Sequence, residues 1–220
     1  MRKSEVEKRR RWQNSVYDTL KSFKKEEIVD FLGREVVVKP GVFAPLWMDS
    51  KLLGRAVEEE VKIDDYVLDL GTGSGAQGRI TAEKAERVLC ADINPKAVKC
   101  AKETMQVGGR LGNTDFVQSD IFSNIHGRYD LIIYNPPFRW FSPRDMLERA
   151  ATDKHYYSLA RFFSEFRVHL TEKGRALAVF SNSGDLQRFN ELIESNQVNS
   201  EVIAKANSDG WRYLVYRFTK

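Results

Sequence analysis

The chain has 220 residues, of which 42% are hydrophobic and 30% charged, and its formal net charge is +4. This length is enough for one complete α/β core but not for two ordinary domains. The sequence contains no apolar run of the roughly 18 to 20 residues that cross a bilayer, and it begins with charged residues. We therefore expect a cytoplasmic protein without a membrane partner.

The positive charge is concentrated at the N-terminus. Residues 1–39 contain 11 of the 35 basic residues and 7 of the 31 acidic residues. Residues 40–220 therefore contain 24 basic and 24 acidic residues and have no net charge. Residues 1–39 are predicted to be a basic helical extension, and residues 40–220 the catalytic domain. A basic helix of this kind is suited to an acidic partner.

Residues 4–32 are predicted to form a helix that ends at Gly33. Its apolar residues recur at helical spacing: Trp12, Val16, Leu20 and Phe23. We expect the first three to cover the sheet while the basic face stays free. A short strand at 36–38 follows, and the prolines and glycine of residues 40–45 interrupt it.

Strand and helix patterns alternate through the rest of the chain. Strands are predicted at 66–70, 88–91, 115–118, 130–134, 175–181, 200–206 and 211–218, and helices at 76–85, 95–107, about 145–170, and 184–195. The alternation predicts an α/β fold with a mostly parallel, doubly wound sheet of seven strands. The last two strands, joined by residues 207–210, are predicted to form an antiparallel hairpin.

A glycine-rich loop follows the strand at 66–70. It reads Asp69-Leu70-Gly71-Thr72-Gly73-Ser74-Gly75 and leads into a helix, an arrangement that brings backbone close to a ligand at the carboxyl edge of a sheet. The spacing of its glycines also fits a dinucleotide fingerprint, so a nicotinamide cofactor remains an alternative.

Three acidic residues at strand ends favour S-adenosylmethionine. Asp69 would repel a pyrophosphate but suits an ammonium and a sulfonium group. Asp92 can accept hydrogen bonds from ribose hydroxyls, and Asp120 from the adenine amine. Each could instead cap the next helix or turn. Neither the two cysteines nor the three histidines have metal-ligand spacing, so no metal is predicted.

A second motif, Asn135-Pro136-Pro137-Phe138, follows the strand at 130–134. An exocyclic amine or amide is a poor nucleophile because its lone pair is delocalised. The Asn135 side-chain oxygen and the Pro136 carbonyl could accept its two N–H groups and stabilise the developing positive charge. Pro137 would stiffen the loop and Phe138 would stack on a flat substrate. The alternative is a rigid turn without catalytic function.

With these two motifs, residues 42–218 resemble the class I S-adenosylmethionine-dependent methyltransferases that carry an Asn-Pro-Pro-aromatic loop. The resemblance implies a Rossmann-like fold and N-methylation, with Asn135, Pro136, Pro137 and Phe138 as catalytic residues. The cofactor contacts that it implies are Asp69, Gly71, Thr72, Gly73, Gly75, Asp92, Ile93, Asp120, Ile121 and Asn135.

The loop does not separate two classes of acceptor. HemK-like protein-glutamine methyltransferases and the enzymes that methylate adenine N6 or guanine N2 in nucleic acids share it. The segment 41–45 with Asp49 is loosely similar to the HemK-like enzymes, whereas Phe138 in place of tyrosine is frequent in guanine-modifying relatives. A protein glutamine is the leading prediction and an RNA or DNA base the alternative. Small planar amines, and a non-catalytic subunit that binds RNA or a partner through its basic helix, also remain open.

Overall fold

A computed structural model describes residues 2–107 and 112–220. Seven α-helices and nine strands are assigned in these ranges. The helices are α1 (Lys3–Ser22), α2 (Met48–Glu60), α3 (Ala76–Ala82), α4 (Pro95–Thr104), α5 (Met146–Arg149), α6 (Tyr157–Glu165) and α7 (Leu186–Ser195). The strands are β1 (Glu27–Phe31), β2 (Arg34–Val38), β3 (Tyr66–Leu70), β4 (Arg87–Asp92), β5 (Thr114–Gln118), β6 (Tyr129–Tyr134), β7 (Leu170–Ser181), β8 (Asn199–Ser208) and β9 (Trp211–Thr219).

The centre of the molecule is a seven-stranded sheet in the order β5-β4-β3-β6-β7-β9-β8. Strands β3 to β7 are parallel, and β9 pairs antiparallel with both β7 and β8. The turn between β8 and β9 has positive φ at Asp209 and Gly210, as a two-residue hairpin requires. The predicted fold class is confirmed, including the C-terminal hairpin.

The carboxyl ends of β3 and β6 lie side by side in this sheet, with Asp69 paired to Ile133 and Leu70 to Tyr134. The glycine-rich loop leaves β3 and the Asn-Pro-Pro-Phe loop leaves β6. Parallel pairing therefore brings together two motifs that are far apart in the sequence.

The predicted helix at 4–32 is too long. Helix α1 ends at Ser22, and residues 27–31 form β1, which pairs antiparallel with β2. Leu32 and Gly33 both have positive φ and form the tight turn between these strands. The predicted stop signal at Gly33 is thus a hairpin turn, and β-branched Ile28 and Val29 belong to a strand.

The predicted helical region at 145–170 is also wrong as one element. It consists of α5, a 3-10 helix at 154–156, α6, and a second 3-10 helix at 166–169. His155 and Tyr156 have positive φ, which interrupts the helix. Asp153 then accepts hydrogen bonds from the backbone of Ser158 and Leu159, so α6 begins anew at that point.

Helix α1 packs beside the carboxyl edge of the sheet. Val16 and Leu20, which were predicted to cover the sheet together with Trp12, are buried in a smaller cluster with Val38, Ala44 and α5, and Trp12 is half-buried. Arg9 donates a hydrogen bond to the carbonyl of Asn182, and the Tyr17 hydroxyl donates one to Asp145. Among the helices assigned here, none is long and apolar enough to traverse a bilayer.

Candidate functional site

A cleft opens at the carboxyl ends of β3, β4 and β6, with a volume of about 1380 Å³ including its open mouth. The glycine-rich loop lines one side and the Asn-Pro-Pro-Phe loop another. Trp12 and Val16 of α1 also line it. The predicted site residues that line the cleft are Asp69, Gly71, Thr72, Gly73, Asp92, Ile93, Asp120, Ile121, Asn135, Pro136, Pro137 and Phe138.

The glycine-rich loop depends on backbone conformations that other residues rarely adopt. Gly71 and Gly73 have φ of 71° and 56°. Gly75 does not line the cleft; its φ is 84°, and a Cβ there would lie 2.8 Å from the Cα of Ala101 in α4. Gly75 thus lets α3 start directly against α4, while Gly71 and Gly73 expose backbone to the cleft.

Asp69 is buried beneath this loop. Its Oδ2 accepts hydrogen bonds from the Thr72 hydroxyl and from the backbone N–H of Gly78. Burial raises the pKa of Asp69 to about 6, against the effect of those two bonds. Both bonds use Oδ2, so Oδ1 is the oxygen left for a cationic group of a ligand.

Asp92 ends β4 and also binds the loop. Its Oδ2 accepts from the Gly73 N–H at 2.9 Å and its Oδ1 from the Asn94 N–H at 2.8 Å. Burial raises the pKa of Asp92. A carboxylate oxygen has a second acceptor site, so each can still receive a ribose hydroxyl. Ile93 lines the cleft directly after this acid.

Asp120, the predicted adenine contact, lies at the end of β5 between two arginines. Its carboxylate is 3.3 Å from Arg149 and 3.6 Å from Arg161. The next residue, Ile121, has φ of 51° and is buried. The carboxylate lies at the cleft, but a ligand amine must share it with both guanidinium groups.

The Asn135 side chain has a defined orientation. Its Nδ2 is 3.2 Å from Oδ2 of Asp49 and 3.4 Å from Oγ of Ser50. Both contacts use the amide nitrogen, which leaves Oδ1 as the acceptor available to a substrate N–H. Asp49 is buried in α2, and burial raises its pKa, while the bond from Asn135 opposes this effect.

The two prolines and Phe138 shape the rest of this loop. Pro136 is buried and Pro137 half-buried. The carbonyl of Phe138 accepts a hydrogen bond from the Tyr156 hydroxyl at 2.8 Å, and its ring packs edge-on against Phe180. Only 5% of Phe138 is exposed, so the ring supports the cleft wall more than it projects into the opening.

Other aromatic residues also line the cleft: Trp12, Phe43, Trp47, Tyr134 and Tyr213. Tyr213 belongs to β9. Arg139 directly follows the Asn-Pro-Pro-Phe loop and lines the cleft although it is 96% buried. Its position next to the motif is the sequence signal for a residue in the cleft wall.

The chain is similar to known methyltransferases. Residues 33–216 match the family model described as Methyltransferase small domain. The chain is 37% identical over 112 residues to a "Putative protein N5-glutamine methyltransferase" of Methanocaldococcus jannaschii, covering 50% of this chain and 54% of that protein. It is 31% identical over 172 residues to ribosomal RNA small subunit methyltransferase C of Actinobacillus succinogenes, covering 76% of this chain and 46% of that protein.

Solved structures share the fold. A 16S rRNA N2 G1207 methyltransferase of T. thermophilus, in complex with AdoMet and guanosine, superposes with a TM-score of 0.65 at 20% identity, covering 87% of this chain and 49% of that chain. The chain spans about half the length of the two relatives named above.

Proposed function

The chain belongs to the methyltransferase small domain family, and from that premise we propose that it methylates the exocyclic N2 amine of a guanine in RNA. The family confirms the predicted enzyme class, S-adenosylmethionine-dependent N-methyltransferase, and its cofactor. The nicotinamide alternative is set aside.

The orientation of Asn135 carries the proposal. Asp49 holds the amide nitrogen, so Oδ1 can accept one N–H of a planar amine while the Pro136 carbonyl accepts the other. Two acceptors fix the nitrogen and stabilise the positive charge that develops on it as it is methylated. S-adenosylmethionine supplies the electrophilic methyl group. Asp69, Asp92 and the glycine-rich loop would hold it beside this pair.

The surroundings of the cleft favour RNA over a protein. Lys8 and Arg10 of α1 are exposed, and each lies over an aromatic ring: Lys8 at 4.4 Å from the Trp211 ring centre and Arg10 at 4.5 Å from that of Phe141. The same helix lines the cleft through Trp12. Basic groups beside an aromatic cleft are suited to a phosphate backbone whose base enters the cleft.

A protein glutamine is the second candidate. The observation that favours it is the 37% identity with the M. jannaschii protein, which is higher than the identity with the ribosomal RNA methyltransferases, although it covers only half of this chain. A glutamine side chain presents the same planar NH2 to Asn135 and Pro136.

A labelling experiment separates the two candidates. The purified chain is incubated with S-adenosylmethionine carrying a radioactive methyl group and with extract from cells lacking the gene, and the product is treated with ribonuclease or protease. We expect ribonuclease-sensitive label that yields N2-methylguanosine on digestion. Asn135→Ala, shown to fold by a cooperative thermal unfolding transition, should abolish it. Protease-sensitive label would overturn the guanine proposal in favour of glutamine, and the absence of any label would support a non-catalytic subunit.

A further inference from the structure

Arg139 is a buried cation whose hydrogen bonds go to neutral groups. Its Nη1 donates to Oε1 of Gln13 at 3.2 Å and its Nη2 to Oγ of Ser183 at 3.5 Å. Its buried Nε has no hydrogen-bond partner in residues 2–107 and 112–220. Arg139 therefore has an unused donor while lining the substrate cleft.

This arrangement is costly for the protein alone. A buried charge normally requires a paired opposite charge and full hydrogen bonding. Burial lowers the pKa of Arg139 to about 10, and the negative charge of Asp49 opposes that effect. The group is still protonated near pH 7 and offers strong N–H donors to an acceptor that enters the cleft.

Arg139 is held from the α1 side of the cleft. Gln13, which accepts its Nη1 bond, also donates to Glu148 at 3.3 Å. Glu148 in turn forms hydrogen bonds with the backbone and guanidinium of Arg144. These neighbours fix the Gln13 amide so that its oxygen faces Arg139, and the guanidinium is thus oriented before a substrate binds.

Asp49 connects this cation with the loop that receives the amine. It bonds directly to Asn135, and its charge acts on Arg139 through space. A substrate whose NH2 binds Asn135 and Pro136 would thus need an acceptor atom on the Arg139 side. Guanine has this pattern because its N2 amine and O6 oxygen flank N1 on one edge of the base.

We infer that Arg139 is the residue that selects guanine, by donating a hydrogen bond to its O6 oxygen while Asn135 and Pro136 hold N2. This inference rests on the proposed function. A purine that keeps the 2-amine but lacks O6 would leave this donor unpaired, so the pocket would bind it more weakly.

The test compares two nucleotides that differ at O6. Guanosine 5′-monophosphate has both the 2-amine and O6, whereas 2-aminopurine riboside 5′-monophosphate keeps the 2-amine and lacks O6. The full chain is saturated with sinefungin. Binding of the fluorescent 2-aminopurine nucleotide is measured directly, and guanosine monophosphate is measured by displacing it. The variants are Arg139→Met and Arg139→Lys, with Arg188→Met on the exposed face of α7 as the control for loss of an arginine.

We expect the wild type to bind the guanine nucleotide about 10- to 150-fold more tightly than the 2-aminopurine nucleotide, the range for a hydrogen bond to a charged group. Arg139→Met should abolish this preference by weakening only the guanine nucleotide, and Arg139→Lys should keep part of it. Arg188→Met should retain it fully.

Three results would overturn the inference: no preference for guanine in the wild type, no binding of either nucleotide, or an equal loss for both nucleotides in Arg139→Met. The labelling experiment tests the proposed function separately. Ribonuclease-sensitive label together with an unchanged preference in Arg139→Met would remove only the assignment of Arg139. Protease-sensitive label would remove the guanine acceptor itself.

Discussion

Asp49 gives the sharpest test of the proposed catalytic geometry, because it orients Asn135 without belonging to either recognised motif. The bond between Asn135 Nδ2 and the buried Asp49 carboxylate is 3.2 Å long. A hydrogen bond to a charged group contributes about 1.5 to 3 kcal/mol, which favours this amide orientation roughly 10- to 150-fold over the flipped one. The flipped amide would present N–H to a substrate that also offers N–H.

Asp49→Ala removes this preference and leaves only the longer contact from Ser50. If both amide orientations become equally populated, the loss of orientation lowers kcat about two-fold. Loss of the nearby negative charge destabilises the developing cation further, so we expect kcat to fall about 10-fold. Asp49→Asn keeps an acceptor oxygen, so its kcat should fall less than that of Asp49→Ala. Asn135→Ala removes the acceptor itself, and its kcat should fall about 100- to 1000-fold, by analogy with oxyanion-hole donors.

The assay is single-turnover methyl transfer at pH 8, with radiolabelled S-adenosylmethionine and the acceptor that the wild type labels. A cooperative thermal unfolding transition in all three variants serves as the control for folding. An Asp49→Ala variant that is as fast as the wild type, beside an inactive Asn135→Ala, would refute the role of the carboxylate in orienting Asn135 and in stabilising the developing cation.

Three further predictions concern the loop and the helix. The pKa of Asp69 is raised from 3.8 to about 6, so the folded protein binds this proton more tightly than the unfolded chain does. The free energy of unfolding of the wild type should therefore fall by up to ~3 kcal/mol as the pH rises from about 4 to 6. Urea unfolding of Asp69→Asn should show no such fall and should give a higher free energy of unfolding than the wild type at pH 8; a value below that of the wild type would contradict this prediction. Gly75→Ala should reduce thermal stability by about 1 to 3 kcal/mol, because its φ is +84° and its Cβ would meet Ala101 at 2.8 Å; an unchanged melting temperature would count against this packing. For binding to an RNA probe, the slope of log affinity against log salt concentration should be smaller in magnitude by about one in Arg10→Ala, and unchanged in Glu7→Gln. Equal slopes for the wild type and Arg10→Ala would exclude a phosphate contact by Arg10.

The sequence predicted what depends on local pattern. Short apolar strands followed by glycines or by Asn-Pro-Pro identified β3, β6 and their loops, because strand length and turn chemistry are encoded within a few residues. Once parallel pairing is assumed, the meeting of the two loops follows from topology alone.

The errors arose where local patterns compete. Residues 28 and 29 continue the apolar spacing of α1 only approximately, and the hairpin turn at Leu32 and Gly33 reassigns them to a strand. Helix α2 was not predicted at all, although Leu52, Leu53, Ala56 and Val57 recur at helical spacing and are buried.

Contacts between distant residues could not be predicted from the sequence. Asp49 and Asn135 are 86 positions apart, and Gln13 and Arg139 are 126 apart. Each residue alone has an ordinary surface or turn interpretation. Only packing of α1 and α2 against the carboxyl edge of the sheet gives Asp49 an orienting role and leaves Arg139 with a free donor.

The packing of α1 has a consequence for how this enzyme could diversify. The residues proposed to bind the methyl donor lie in loops of the sheet, whereas the rim of the cleft includes α1, which precedes the β1–β2 hairpin. We expect that exchanging α1 for another sequence would change the acceptor and leave the glycine-rich loop in place. Acceptor specificity could thus change, in evolution or by protein engineering, through replacement of this one helix.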